Sequence, residues 1–160
     1  MDLDYHHRQT GWVMLAIAAI TTALICALLL MAAPRIVPAT FVVLLPFVGL
    51  MGAVAILFSS MTVQLEKDSL SWHFGPRFWR NTLRLADIEK ASAITSKWYW
   101  GYGIKYFGPG RWLYNVSGSD VVELTLRDGG WVRLGTDDAD GLLHALSARG
   151  VQARSLPQRR

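Results

Sequence analysis

The sequence predicts an α+β membrane protein: an N-terminal transmembrane helical hairpin, then a small antiparallel β domain closed by one C-terminal helix. Three observations carry this. Two apolar runs, 11–33 and 36–61, stand side by side, and Arg35 is the only charged residue between positions 11 and 61. From Thr62 onward apolar and polar residues alternate, with turn residues at short intervals. Residues 136–150 then switch to a helical period. The expected organisation is 1–10 as a cytosolic N-terminus, 11–61 as the hairpin, 62–149 as the β domain and 150–160 as a disordered basic tail.

Run 11–33 is uncharged over 23 residues. As a helix at ~1.5 Å per residue it would extend about 34 Å, enough for a hydrocarbon core of ~30 Å. A secretory signal has a shorter apolar stretch, of about 7–15 residues, behind a basic front end. Here Asp2 and Asp4 precede the run and a second span follows at once. Pro34 and Arg35 leave room only for a tight turn. Pro38 suits the first turn of the second helix, and Pro46 is expected to kink its middle. Ala19, Ala23 and Ala27 on the first span and Gly49 and Ala53 on the second form small-residue stripes at four-residue spacing. Such stripes let helices approach closely in lipid, and they are expected to bind the hairpin's two helices together. Neither span contains Asp, Glu, Lys, Arg or His, which argues against a pore or pump built from this chain alone. Arg8 before the spans and Lys67, Arg77, Arg80 and Arg84 after them outweigh Arg35 at the far turn, so the positive-inside rule places both termini in the cytoplasm.

In the β domain, "TVQLE" (62–66) and "LSWHFG" (70–75) read as strands around a "KDS" turn, and "PRFW" as a loop. "NTLRLADIEKASAI" (81–94) reads as one long or broken strand with a bend at "AD". "YGIKYF" and "RWLYNV" flank a "GPG" turn at 108–110. "VVELTLR" (121–127) places Val122, Leu124 and Leu126 on one face, and "DG" turns it into "WVRLG" (131–135). Thr136, Asp137 and Asp138 open the last helix as capping residues, Leu142, Leu143 and Leu146 form its apolar stripe, and Gly150 ends it. That makes about seven short antiparallel strands and a closing helix.

This order resembles the pleckstrin-homology-like fold. With the hairpin in front, the chain is similar to small bacterial membrane proteins that carry a PH-like domain. The residues carrying the likeness are "LSWHFGP", "LRLADIEKA", "YWGYGIKY", "GPGRWLYNVSG", "VELTLRDG" and "LGTDDADGLLHAL", spanning about 62–149. The resemblance implies a PH-like antiparallel β-barrel or bent sheet capped by the C-terminal helix. It also implies a non-enzymatic module for binding or assembly at the cytoplasmic face of the bacterial inner membrane. Lipid-binding PH domains gather basic residues around their first hairpin loop; here that loop is "EKDS", with one Lys between two acids.

Charge and chemistry narrow the function classes. The net charge is +4, yet 62–149 holds 11 Lys/Arg against 10 Asp/Glu, too balanced for a nucleic-acid surface even where Lys97, Lys105 and Arg111 lie among aromatics. Cys26 is the sole cysteine, so no disulfide forms within the chain, and His6, His7, His73 and His144 are too scattered in sequence for zinc. Asp137, Asp138 and Asp140 read as helix-start acids, not a metal site, since no later Glu completes a calcium loop. His144 has no nucleophile or carboxylate fixed by spacing, "GYGIKY" lacks the third glycine of a dinucleotide loop, and Ser117-Gly118-Ser119 is a turn. No catalytic residue, cofactor or metal is therefore expected.

The expected contact surface is the aromatic stretch Lys97, Trp98, Tyr99, Trp100, Gly101, Tyr102 and Gly103, because Trp and Tyr favour protein contacts and membrane interfaces. Arg77, Arg80 and Arg84 form an expected basic edge. The partners expected are the lipid bilayer, a protein or a second copy of the chain, and a weak contact of the tail (Arg149, Arg154, Arg159, Arg160) with anionic lipid. An accessory subunit of a larger membrane enzyme complex is the alternative, and a membrane-tethered enzyme comes last.

Overall fold

The computed structural model describes residues 5–32 and 37–155. Their order is β1 (Tyr5–Thr10), α1 (Trp12–Ala32), α2 (Val37–Leu57), β2 (Ser60–Glu66), β3 (Ser69–Phe74), β4 (Phe78–Arg84), β5 (Ile88–Thr95), β6 (Gly103–Tyr106), β7 (Arg111–Asn115), β8 (Asp120–Leu126), β9 (Trp131–Gly135), α3 (Ala139–Ala148) and β10 (Gln152–Arg154). Within α1, Trp12–Met31 is long and apolar enough to cross a bilayer, and none of it is buried inside the protein. In α2 the apolar stretch of described residues is shorter, Val42–Leu57. Pro46 lies inside α2, and the two helices pack against each other, with a groove beside the contact lined by Met14, Ala18, Thr21, Met51, Ala55 and Phe58.

The strands form two sheets. The first, β1-β2-β3-β4, is antiparallel throughout. The second runs β10-β5-β8-β9-β7-β6, with parallel pairs at β10–β5 and β7–β9. Alternation along the strands builds one shared core. Val63, Leu65, Leu70, Trp72 and Phe74 of the first sheet join Ala91, Val122, Leu124, Val132 and Leu134 of the second, and Leu142, Leu143 and Leu146 of α3 complete it. Each fully buried Leu contributes about 1.5–3 kcal/mol relative to exposure. The Asp138 carboxylate accepts from the Gly141 amide at 3.0 Å, so α3 starts with a side-chain cap, and Gly150 ends it with a φ of 84° while the Val151 amide returns to the Leu146 carbonyl at 3.1 Å.

Several expectations are corrected. The sheets do not close into a barrel, and they hold ten strands among the described residues. Residues 5–10 of the expected cytosolic N-terminus form β1, paired over its whole length with β2 from Tyr5 opposite Leu65 to Thr10 opposite Ser60. The "PRFW" loop already contains the start of β4, whereas stretch 81–94 is broken at its "AD" bend as expected, by a 3₁₀ turn at Leu85–Asp87 that carries the chain from one sheet to the other. The tail is ordered as far as β10, which pairs with β5; residues 156–160, including Arg159 and Arg160, lie outside the described residues, as do Pro34 and Arg35. Ala19, Ala23, Ala27, Gly49 and Ala53 are exposed, so the small-residue stripes face away from the contact between the two helices.

The strands and helices meet at Gly11. Its amide donates to the Ser59 carbonyl at 2.7 Å, extending the β1–β2 ladder to the start of α1. A Cβ here would lie 2.6 Å from the Phe58 carbonyl oxygen and 3.2 Å from Val116 Cβ, so only glycine fits this crossing.

Candidate functional site

The stretch 97–103 folds as a 3₁₀ turn, Trp98–Trp100, leading into β6. Gly101 and Gly103 have φ of 65° and 98°, which sets the sharp entry to that strand. The residues do not share one surface. Trp100 is half-buried, and the Arg133 guanidinium lies 4.2 Å from its ring centre and 3.8 Å from that of Trp131. The same guanidinium forks onto a Glu123 carboxylate oxygen, with Nε and Nη2 each 2.7 Å away. Gly103 is buried, and the half-buried Tyr102 lines a cleft of about 320 Å³ together with Lys97, Gly101, Asn115 and Ser119. Lys97 is exposed, with its ammonium 5.7 Å from the ring centre of Tyr99, itself 57% exposed. The side chain of Trp98 is outside the description.

Exposed rings continue beyond this turn. Tyr106 and Phe107, at the far end of β6, are 58% and 42% exposed. Tyr106 packs on Trp112 at 4.9 Å between ring centres, Trp112 on Tyr114 at 6.2 Å, and Tyr114 on Trp72 at 5.3 Å, a ring series running from the surface into the core. β6 is one of the two edge strands of its sheet, β10 being the other. The surface this builds is therefore an open strand edge with exposed rings at both ends.

The basic edge is divided as well. A β-bulge sets Trp79 and Arg80 of β4 against His73 of β3, since Trp72 pairs with Asn81 and Phe74 with Phe78. Arg80 reaches Glu66 at 3.4 Å between exposed side chains, a contact worth about 0–1 kcal/mol. Arg84 lies at the opposite end of β4 from Arg77, facing Ser69 across the strands. Arg77 instead borders a cleft of about 500 Å³ on the outer face of the first sheet, together with His6, Arg8, Thr62, Gln64 and His73. His73 is 8% exposed. Burial, then the charges of Arg77 and Arg80, hold its imidazole below its ordinary range.

Two of the acids at 137–140, Asp137 and Asp138, act in structure. Asp138 caps α3 and accepts from the Tyr5 hydroxyl at 3.1 Å, while Asp137 meets His7 Nε2 at 2.5 Å. Burial and the Asp138 carboxylate raise the Tyr5 hydroxyl well above its ordinary value, so it remains a donor. His144 is exposed on α3. Arg149, expected in the basic tail, donates to the Lys67 carbonyl at 2.7 Å and ties the end of α3 to the β2–β3 turn.

No protein-family model, curated protein or solved structure matches this chain. The functional reading rests on these residues alone. Sequence reasoning missed β1 and, with it, the cleft that His6 and Arg8 share with His73 and Arg77. The faint signal was alternation in "YHHRQT": Gln9 is buried, Tyr5 and His7 are half-buried, and His6, Arg8 and Thr10 are exposed. That alternation carries almost no hydrophobic contrast, so only the partner strand makes it legible.

Proposed function

We propose that the protein is a non-enzymatic, membrane-anchored binding or assembly module, whose domain lies at the cytoplasmic face of the bacterial inner membrane and receives a protein partner along β6. The observation that carries this is the open edge of β6, flanked by the exposed rings of Tyr99, Tyr106 and Phe107. An extended segment added there would find unpaired backbone groups for affinity and aromatic surface for selectivity. Two sheets around one core with a closing helix support a PH-like reading of the domain; the departures are the added N-terminal strand and the two parallel pairs.

The pairing of β1 with β2 supports a two-span anchor. Those strands flank the two helices, so their pairing requires both to lie on one side, and a chain that crosses through α1 must return through α2. It also speaks against a removable leader, because the residues before α1 are built into the sheet. A second reading, an accessory subunit packed against other membrane helices, is favoured by the outward-facing Ala19, Ala23, Ala27, Gly49 and Ala53.

Photo-crosslinking in native membranes tests the binding reading. A photoreactive residue at Tyr99 or Tyr106 is expected to capture a discrete protein or a second copy, and one at Glu89 is expected not to. Equal, diffuse capture from all three positions would sink it. Capture of a set of larger membrane subunits from Ala23, and nothing discrete from Tyr99 or Tyr106, would favour the second reading.

A further inference from the structure

We propose that the cleft on the outer face of the first sheet, lined by His6, Arg8, Thr62, Gln64, His73 and Arg77, binds a phosphate group supplied by the headgroup of an anionic lipid. Among the described residues the lining combines two guanidinium groups, two imidazoles, the hydroxyls of Thr62 and Ser59 and an amide, with no carboxylate. Glu66, the nearest acid on this face in β2, is engaged by Arg80. The register brings these groups together: Arg8 faces Thr62, Thr62 faces His73, and His6 faces Gln64. A volume of about 500 Å³ is ordinary for a small-ligand site.

Two further observations point to a ligand. His73 Nδ1 is buried without a hydrogen-bond partner among the described residues, although buried polar atoms are nearly always satisfied. The imidazole is held toward its neutral form by burial and by the cations around it, and an anion in the cleft would offset both effects. The backbone beside it is costly: Arg77 and Trp79 take φ of 61° and 51°, the left-handed region that favours glycine. Non-glycine residues held there concentrate at functional sites. Here the strained turn presents Arg77 to the cleft.

Position selects the source of the phosphate. Ile56 and Ser59, where α2 ends, line the same cleft. The Gly75 turn is packed so tightly on that end that a Cβ would lie 2.8 Å from the Ile56 and Leu57 carbonyl oxygens. Trp79, 54% exposed on the same hairpin, is the residue type that settles at a membrane interface. If α2 leaves the bilayer at this end, the cleft stands at headgroup depth. The lipid source thus rests on the membrane reading above; the phosphate chemistry does not.

The test uses the full chain in detergent. Native mass spectrometry follows retention of phosphatidylglycerol against phosphatidylcholine, and thermal unfolding is followed with inorganic phosphate. One phosphatidylglycerol is expected to be retained in preference to phosphatidylcholine. Its affinity should fall about tenfold or more in Arg8→Gln and in Arg77→Gly, the loss expected for a charge-assisted contact, while Arg84→Gln stays unchanged. Arg77→Gly suits the left-handed backbone, so its unfolding midpoint should hold while binding is lost. Stabilisation by phosphate that disappears in the same two variants, without lipid retention, supports the site and assigns it a soluble phosphate ester. Phosphatidylglycerol retention equal in wild type and both variants, with no phosphate-dependent stabilisation, overturns it. Release of the protein from membranes by alkaline carbonate would refute the membrane reading separately and leave the phosphate measurement to decide the site.

Discussion

Arg133 shows how one residue turned part of an expected binding surface into structure. Its guanidinium is stacked by Trp100 and Trp131 and forked onto Glu123, on the sheet face opposite the shared core. Trp100 is thereby spent on holding the 98–100 turn to the sheet, which leaves Tyr99 outward. We expect Arg133→Ala to lower stability by about 2–4 kcal/mol, from two cation–π contacts and a half-buried carboxylate left without its partner. Arg133→Lys should recover only part of this, because an ammonium lacks the planar fork. Thermal unfolding in detergent measures both; a change under about 0.5 kcal/mol in Arg133→Ala, the size of an ordinary surface substitution, would contradict the assignment.

At the scale of elements, β1 is the strand that its own sequence does not announce. "YHHRQT" has no apolar alternation; it is a strand because the edge of β2 and the turn at 117 receive it. Gln9 Nε2 donates to the Ser117 carbonyl at 2.9 Å, and Ser117 Oγ donates to the Thr10 carbonyl at 3.1 Å. The pairing has a direct test. His6 and Gln64 are register partners, and directly opposed antiparallel residues stand about 4.5–5.5 Å apart at Cα, within the reach of a disulfide. In a Cys26→Ala background, His6→Cys with Gln64→Cys should crosslink readily under mild oxidation. His6→Cys with Val63→Cys should not, because Val63 faces the core. Equal crosslinking in both pairs would overturn the register, and with it the argument that the helices return the chain to its starting side.

For the whole molecule, the consequence is a domain whose first and second strands bracket the helices. On the membrane reading proposed above, the domain should occupy one side of the bilayer only. Ser119→Cys, in an exposed turn, is expected to react with an impermeant maleimide only after cells are opened. Labelling on intact cells would place the domain outside and reverse the positive-inside reading.

Composition and period alone determined the helix-forming runs, most of the β elements, the capped last helix and the division of the chain near residue 60. These follow from local chemistry: absence of charge, alternation, and side chains that cap or turn the backbone. The last helix was legible because Asp138, its leucines and Gly150 each act within a few residues of their own position. Only the tertiary structure decided which strands pair, that the small-residue stripes face outward, that Trp100 is structural while Tyr99 is exposed, and that β6 is an edge. It alone brought His6 and Arg8 beside His73 and Arg77, residues separated in the chain by both helices. The reason is physical. Pairing and juxtaposition depend on contacts between distant segments, and a polar strand such as β1 acquires its conformation from its neighbour rather than from its own residues.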